Sequence, residues 1–186
     1  LVLALEYNPR TDTREWANKV VETHPNHQVI VMTHEYLYGS GYSGAGNWIW
    51  NQFVKQHENI IMVVCGHASS TYDPYIIRRK NVGVNGNEVH ELLCDLQELD
   101  AKVEVCGVLN IFRFNADGTV CDVSTYSPHR DACLNEINQF TLNFPKQEIK
   151  YYAQVGTQFY ETVTEAAANA NGEIVKILAN CEEAIT

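Results

Sequence analysis

A chain of 186 residues, 45% hydrophobic and 19% charged, is long enough to bury one sizeable core, a domain of about 150 residues with a short appendage. Its formal net charge of −10 and sequence pI near 5.1 argue against a nucleic-acid-binding surface or broad attraction to anionic membrane, both of which would want the opposite sign. No apolar run approaches the roughly 18 residues of a membrane span, so no transmembrane segment is predicted.

The opening LVLALEYNPR is apolar and strand-like, without the basic flank and cleavage region of a signal peptide. It reads as a cut through a larger protein, with any targeting signal upstream. Thr13 to His24 then carries Trp16, Val20 and Val21 at helical spacing, with Arg14, Glu15, Lys19 and Glu22 on the other side. Asp12 or Thr13 would cap that helix, and Pro25-Asn26 would end it. Val29-Ile30-Val31-Met32 is a β-branched run without alternation, the pattern of a strand buried on both faces, and it stops at Thr33-His34.

Glu35 to Asn47 is rich in Gly and Tyr and reads as a loop, long enough to suggest a functional one. Asn47 is expected to open a second helix, with Ile49/Phe53 and Trp50/Val54 paired at i, i+4. Ile60 to Cys65 is a second buried-type strand, stopping at Gly66-His67. The first 70 residues thus alternate as a parallel sheet with helical crossovers requires.

Beyond His67 the texture changes. Ser69 to Asn87 reads as a polar loop holding Asp73 and the run Arg78-Arg79-Lys80, a charge run that is usually solvated. Val89 to Leu96, Val103 to Phe114 and Thr119 to Tyr126 are predicted strands of an antiparallel meander. Asn115-Ala116-Asp117-Gly118 makes a hairpin between the last two. Phe140 to Phe144 is a final strand candidate and Pro145 to Glu148 a boundary. The tail reads as strand, Ala-rich helix and strand. Two domains follow: 1–146 and 147–186.

The six cysteines show no CxxC pair and no Cys/His zinc spacing, so a structural zinc site is not indicated. Cys65, inside an apolar strand, reads as a small buried hydrophobe. There is no GxxxxGK phosphate loop and no GxSxG nucleophile elbow.

Among the histidines, His34 and His67 differ from the rest because each ends a buried parallel-type strand, where loops leave an open α/β sheet and ligands collect. Two neutral imidazoles at one sheet edge suit a divalent transition metal, and Gly66 lets the backbone approach an ion or phosphate. The bland alternative is two unrelated histidines, each hydrogen-bonded at a strand end. His24, His27 and His57 read as solvated helix-end residues, His90 as a satisfied strand residue, and His129 as a loop residue.

The order and spacing of several segments add a resemblance. Thr33-His34, then Val63-Val64-Cys65-Gly66-His67, resemble the fourth and fifth signature blocks of the calcineurin-like metallophosphoesterases. The flanks Leu5-Glu6-Tyr7-Asn8-Pro9-Arg10, Asn85 to Gln97 and Thr125-Tyr126-Ser127-Pro128 are similar to stretches of secreted bacterial members. The likeness runs from about Leu1 to Phe144. It implies an α/β fold, the C-terminal half of a sandwich of two mixed sheets flanked by helices, incomplete without the N-terminal half of the same parent domain. It implies two divalent transition metals (Mn, Fe or Zn) in the intact site, with His34 and His67 as ligands of one of them and a phosphate mono- or diester as substrate. The chain departs from the pattern twice. Ser69 stands where a second histidine of the fifth block is usual, with Asp73 as a nearby candidate substitute. The ligands of the first three blocks have no counterpart here, so no catalytic residue is assigned and the chain alone is expected to be inactive. Ala153 to Leu178 resembles a module of exported bacterial surface proteins, which implies an extracellular or cell-surface parent.

The sequence therefore supports metal-dependent phosphoester hydrolysis by an intact parent. The competing reading is a non-catalytic cell-surface binding or structural protein on a degenerate phosphoesterase scaffold. A half-domain would leave strand edges and apolar faces uncovered, so a homodimer closing that edge is expected.

Overall fold

The apolar runs Val2–Ala4 (β1), Val29–Met32 (β2) and Ile60–Cys65 (β5) lie side by side as parallel strands, as β-branched segments separated by helical crossovers must. The structure is a computed structural model and describes residues 1–39, 41–67, 76–96, 107–134 and 139–181. Helix α1 (Thr11–Glu22) crosses from β1 to β2. Helix α2 (Gly44–Gln52) and a 3-10 turn at Val54–Gln56 cross to β5. The sheet is completed by β7 (Glu88–Cys94), parallel to β5, and by β6 (Ile76–Val82), antiparallel to β7, in the order β1-β2-β5-β7-β6.

Both faces of this sheet are covered. Leu3, Val31, Val63, Val89 and Leu93 face the helices and pack on Val21, Ile49 and Phe53. Ile61, Met62 and Leu92 face a second, antiparallel sheet of β8 (Leu109–Phe114), β9 (Val120–Ser127), β10 (Ala132–Cys133) and β11 (Gln139–Asn143), meeting Cys121, Val123, Leu142 and Phe144. A register shift between β2 and β5, with Val29 opposite Ile60 but Ile30 opposite Met62, leaves Ile61 as the extra residue. The bulge lets Ile61 and Met62 enter the same core while Ile60 and Val63 enter the other.

The hairpin at Asn115 to Gly118 forms as the turn chemistry dictates. Gly118 takes φ 72°, and the Asp117 carboxylate accepts from Thr119 N at 3.1 Å and Thr119 Oγ1 at 2.6 Å. The tail holds β12 (Ala153–Val155) between β13 (Gln158–Tyr160) and β14 (Val175–Ile177), with α3 (Val163–Asn169) burying Val163 and Ala166 against it. Thr162 caps α3 by accepting from Glu165 N at 3.1 Å. Asn26 joins the tail to the larger sheet: its amide donates to Tyr151 O at 2.5 Å and its oxygen accepts from Lys150 N and Tyr151 N. The fold is thus mixed α/β, mostly strand, with three α-helices among the described residues, and none of those is long and apolar enough to cross a membrane.

Several sequence expectations need correction. Glu35 to Asn47 is not simply a loop: Leu37–Tyr38 (β3) and Gly41–Tyr42 (β4) pair as a short hairpin, because Tyr36 and Leu37 bury their side chains fully. Helix α2 begins at Gly44 rather than Asn47, since Ser43 Oγ accepts from Gly46 N at 2.9 Å and supplies the cap. Helix α1 has no side-chain N-cap. Glu6, upstream, accepts instead from Arg10 N at 3.2 Å and Thr13 Oγ1 at 2.6 Å. Arg78 to Lys80 lies in β6, not in a loop, and Glu88–Cys94 belongs to the parallel sheet rather than to the meander. Of the strand expected over Val103 to Phe114, Leu109–Phe114 forms, and 103–106 lie outside the described residues. The tail has three strands where two were expected.

Candidate functional site

The carboxyl ends of β1, β2 and β5 release Tyr7, His34 and His67 at one edge of the sheet. Past the ends of β2 and β5 the parallel ladder continues: Thr33 N donates to Val64 O at 3.0 Å, and Gly66 N donates to His34 O at 3.0 Å. This main-chain pairing fixes the two histidines as neighbours. Their rings lie 4.6 Å apart between centroids at an interplanar angle of 26°, and Tyr7 meets His34 edge-on at 5.6 Å. With Glu35 these three line an open cleft of about 530 Å³.

His67 adopts φ 62°, a left-handed conformation that costs a non-glycine residue free energy. Thr33 Oγ1, directly before His34, is buried with no hydrogen-bond partner among the described residues. His67 also borders a second cleft of about 430 Å³ between the two sheets, lined by Val64, Cys94, Asp95, Asn110 and Phe112 among others. Burial pushes the Cys94 thiol up to about 12 and the Cys65 thiol up to about 11, so neither is a ready thiolate. The five described cysteines are free.

Behind the cleft sits a buried carboxylate that the sequence reading did not single out. Glu91, on β7 opposite Val63, is fully buried on the helix-covered face. Its Oε1 accepts from the hydroxyls of Tyr36 and of Tyr42, the latter at 2.8 Å. Its Oε2 accepts from Arg79 Nε at 2.6 Å and Asn81 Nδ2 at 2.7 Å. The Arg79 guanidinium also lies 4.0 Å over the Tyr42 ring. Burial foremost, then the adjoining Glu91 charge, pushes the Tyr36 hydroxyl far above its ordinary value. Burial and the hydrogen bond to Glu91 do the same to Tyr42, so both stay protonated donors. A lone acid among Val89, Leu92 and Leu93 was the available signal: an apolar strand covered on both faces has no solvent to hold such a group.

The other candidates fall elsewhere. Arg78 stacks on Phe140 at 4.2 Å, Arg79 pairs with Glu91 and Lys80 with Glu88. His57 is not simply solvated: it is half-buried against Phe53, its Nε2 donates to Asn18 Oδ1 at 2.7 Å, and burial lowers its pKa. His24 is also partly buried, 2.7 Å from Val20 O. His90 is satisfied by Asn143 O at 3.1 Å and packs on Phe144, and His129 is exposed in a turn. Ser69 and Asp73 lie outside the described residues. Among the described residues no three His, Cys, Asp or Glu side chains group closely enough to hold a metal by themselves.

No family model matches the chain. Among curated proteins, it is similar to the uncharacterized protein YvnB of Bacillus subtilis (strain 168), 32% identical over 120 residues, which covers 61% of this chain and 9% of that protein. The chain therefore spans about a tenth of the length of the relative it matches.

Proposed function

We propose that His34 and His67 are ligands of a divalent transition-metal centre with which the intact parent protein hydrolyses phosphate mono- or diesters. The observation that carries this reading is the delivery of two imidazoles, 4.6 Å apart, by the ends of adjacent parallel strands into one solvent-open cleft. Neutral imidazole nitrogen is a good donor to manganese, iron or zinc, so the pair fits as part of such a centre. A complete coordination sphere needs donors from beyond the described residues, in keeping with a site shared with the N-terminal half of a calcineurin-like metallophosphoesterase domain. The two face-to-face sheets with helices on one outer side support the same assignment.

A metal bound here would polarise phosphoryl oxygens and supply a hydroxide nucleophile at neutral pH. The chain's own residues do the holding. The Gly66–His34 main-chain bond fixes the spacing of the two ligands, and Tyr7 packs its edge against the His34 ring. Bound cations would also let an acidic protein accept an anionic ester. Among the described residues the outer edge of β1 carries no partner strand, and Val2 is 58% exposed beside it. That edge is where the N-terminal half of the domain, or a second copy of the chain, would add. The tail module is consistent with a parent displayed on the bacterial surface.

The test begins with zinc and manganese titrated into the 186-residue chain and its His34→Ala and His67→Ala variants. One weak site, lost in both variants, is expected. Binding that neither substitution changes overturns the assignment. For the full-length parent, cleavage of a bis-aryl phosphodiester that a chelator abolishes and manganese or zinc restores is expected. A parent that binds metal without turning over any phosphate ester would instead be a non-catalytic surface protein on this scaffold.

A further inference from the structure

We propose that Glu91 is a positioning residue for the His34 and His67 pair, acting through Tyr36 as the buried anchor of the segment that leaves β2. The proposal rests on the reading that these two imidazoles work as one site.

Glu91 gathers donors from three separate places: Tyr36 after β2, Tyr42 on β4, and Arg79 and Asn81 on β6. A buried carboxylate is tolerated only when its lone pairs are filled, so the arrangement is stable as a complete set and poor when one donor is lost. Such a group adds little net stability over an apolar side chain of the same size. What it does impose is where its donors must sit.

Tyr36 stands two residues after His34 and is held at three points. Its hydroxyl donates to Glu91, its carbonyl accepts from Ser43 N at 3.0 Å, and its main chain lies so close to Gly46 that a Cβ there would come within 1.8 Å of Tyr36 O. The next residue, Leu37, donates its N–H to Cys65 Sγ at 3.5 Å, two residues before His67. The hub therefore reaches both ring-bearing segments within two residues. The Gly66–His34 bond closes the circuit between them. The hydrogen bonds of Glu91 go to Tyr36, Tyr42, Arg79 and Asn81 rather than to the cleft lining or the two rings, which makes its effect one of placement.

The decisive comparison is between Tyr36→Phe and Tyr42→Phe in the full 186-residue chain. Each removes one donor from the same Glu91 oxygen and keeps the ring. Tyr36 lies in the segment carrying His34, two residues on, whereas Tyr42 meets that segment only across the hairpin, opposite Leu37. The primary readout is the nuclear Overhauser effect between the His34 and His67 ring protons, with zinc affinity alongside it. In Tyr36→Phe the inter-ring effect is expected to weaken and zinc affinity to fall about ten- to hundred-fold, the usual loss when an outer support of a ligand is removed. Tyr42→Phe should leave both near wild type, and the His90 signals should stay unmoved in each. Glu91→Gln, which turns an amide donor toward the other donors, should match Tyr36→Phe. Should it not fold, the tyrosine pair decides alone. An inter-ring effect absent from the wild type, unchanged in Tyr36→Phe, or weakened equally in both tyrosine variants overturns the proposal. If the wild type shows the ring contact but binds no zinc, the metal reading fails while the contact still decides the positioning role.

Discussion

The two faces of the five-stranded sheet are built on different principles. Toward the meander the contact is mainly dry: Ile61, Met62 and Leu92 meet Cys121, Val123, Leu142 and Phe144, with Thr125 and Ser127 buried farther along β9 and His90 at the margin. Toward the helices an equally buried layer of Val31, Val63 and Leu93 surrounds the Glu91 carboxylate and its four donors. The dry face tolerates any close-packed apolar filling of the right volume. The helix face cannot, because each polar atom demands a partner in a set place. The candidate site stands at the end of the strands whose loops are tied to that second face.

Deleting side-chain volume from the dry face should give the largest loss of stability with the least effect on the site. Leu92→Ala is expected to cost about 2–5 kcal/mol by removing buried methyl groups and leaving a cavity. Chemical denaturation measures that loss, while the His34–His67 ring contact in the folded fraction should remain. A site disturbed by Leu92→Ala as strongly as by Tyr36→Phe would erase the distinction between the faces.

Adding volume to the helix face should reverse the pattern. Gly46→Ala must displace the Tyr36 main chain, since the new methyl would sit 1.8 Å from Tyr36 O and 2.6 Å from its carbonyl carbon. A cost of about 1–3 kcal/mol is expected for such overpacking. The sharper signature is a shifted Tyr36 with a perturbed His34 signal, read by the same nuclear magnetic resonance experiment.

A smaller effect separates His67 from both faces, because its backbone rather than its packing is under load. In the left-handed region a β-branched residue fares worse and glycine is at ease. His67→Val should lose about 1–2 kcal/mol, whereas His67→Gly should melt at or above the wild type while losing any metal binding. A His67→Gly variant clearly less stable than wild type would show that the imidazole contributes packing in addition to its proposed role.

Much of this was written in local pattern. The β-branched runs at Val29 and Ile60, each ending in histidine, foretold two adjacent parallel strands. The Asn115 to Gly118 turn foretold its hairpin. What local pattern could not foretell was pairing across distance. Residues 76–82 read as a polar loop because Arg78, Lys80 and Asn81 dominate the run, yet an antiparallel edge strand leaves Arg78 and Lys80 on its exposed side and turns Arg79 and Asn81 inward to Glu91. Tyr36 and Tyr42 looked like loop aromatics, since nothing nearby in sequence supplies a partner for a buried hydroxyl. That partner, Glu91, lies 55 residues from Tyr36. Tyr7 entered the reading only as a flank, although it ends an apolar strand just as the two histidines do.

The smallest expected effect is a pH dependence confined to the helix-covered side. His57 is half-buried on Phe53 and bonded to Asn18, and burial lowers its folded pKa below the ordinary value of 6.5, with Glu22 opposing weakly. The unfolded chain therefore takes up the proton more readily than the folded one. Linkage fixes the sign: the contribution of neutral His57 is fully present above its unfolded pKa and is lost as pH falls from there through the depressed folded value. His27, also lowered by burial, acts in the same direction. Urea midpoints followed from pH 7.5 down to pH 5 should fall in the wild type and flatten partly in His57→Gln, and further when His27→Gln is added. Leu92→Ala should lower the midpoint at every pH by a constant amount, since it removes no titrating group. A wild-type midpoint that rises on acidification would mean that protonated His57 finds an acceptor in the folded state, and would place the charge sensitivity of that face elsewhere.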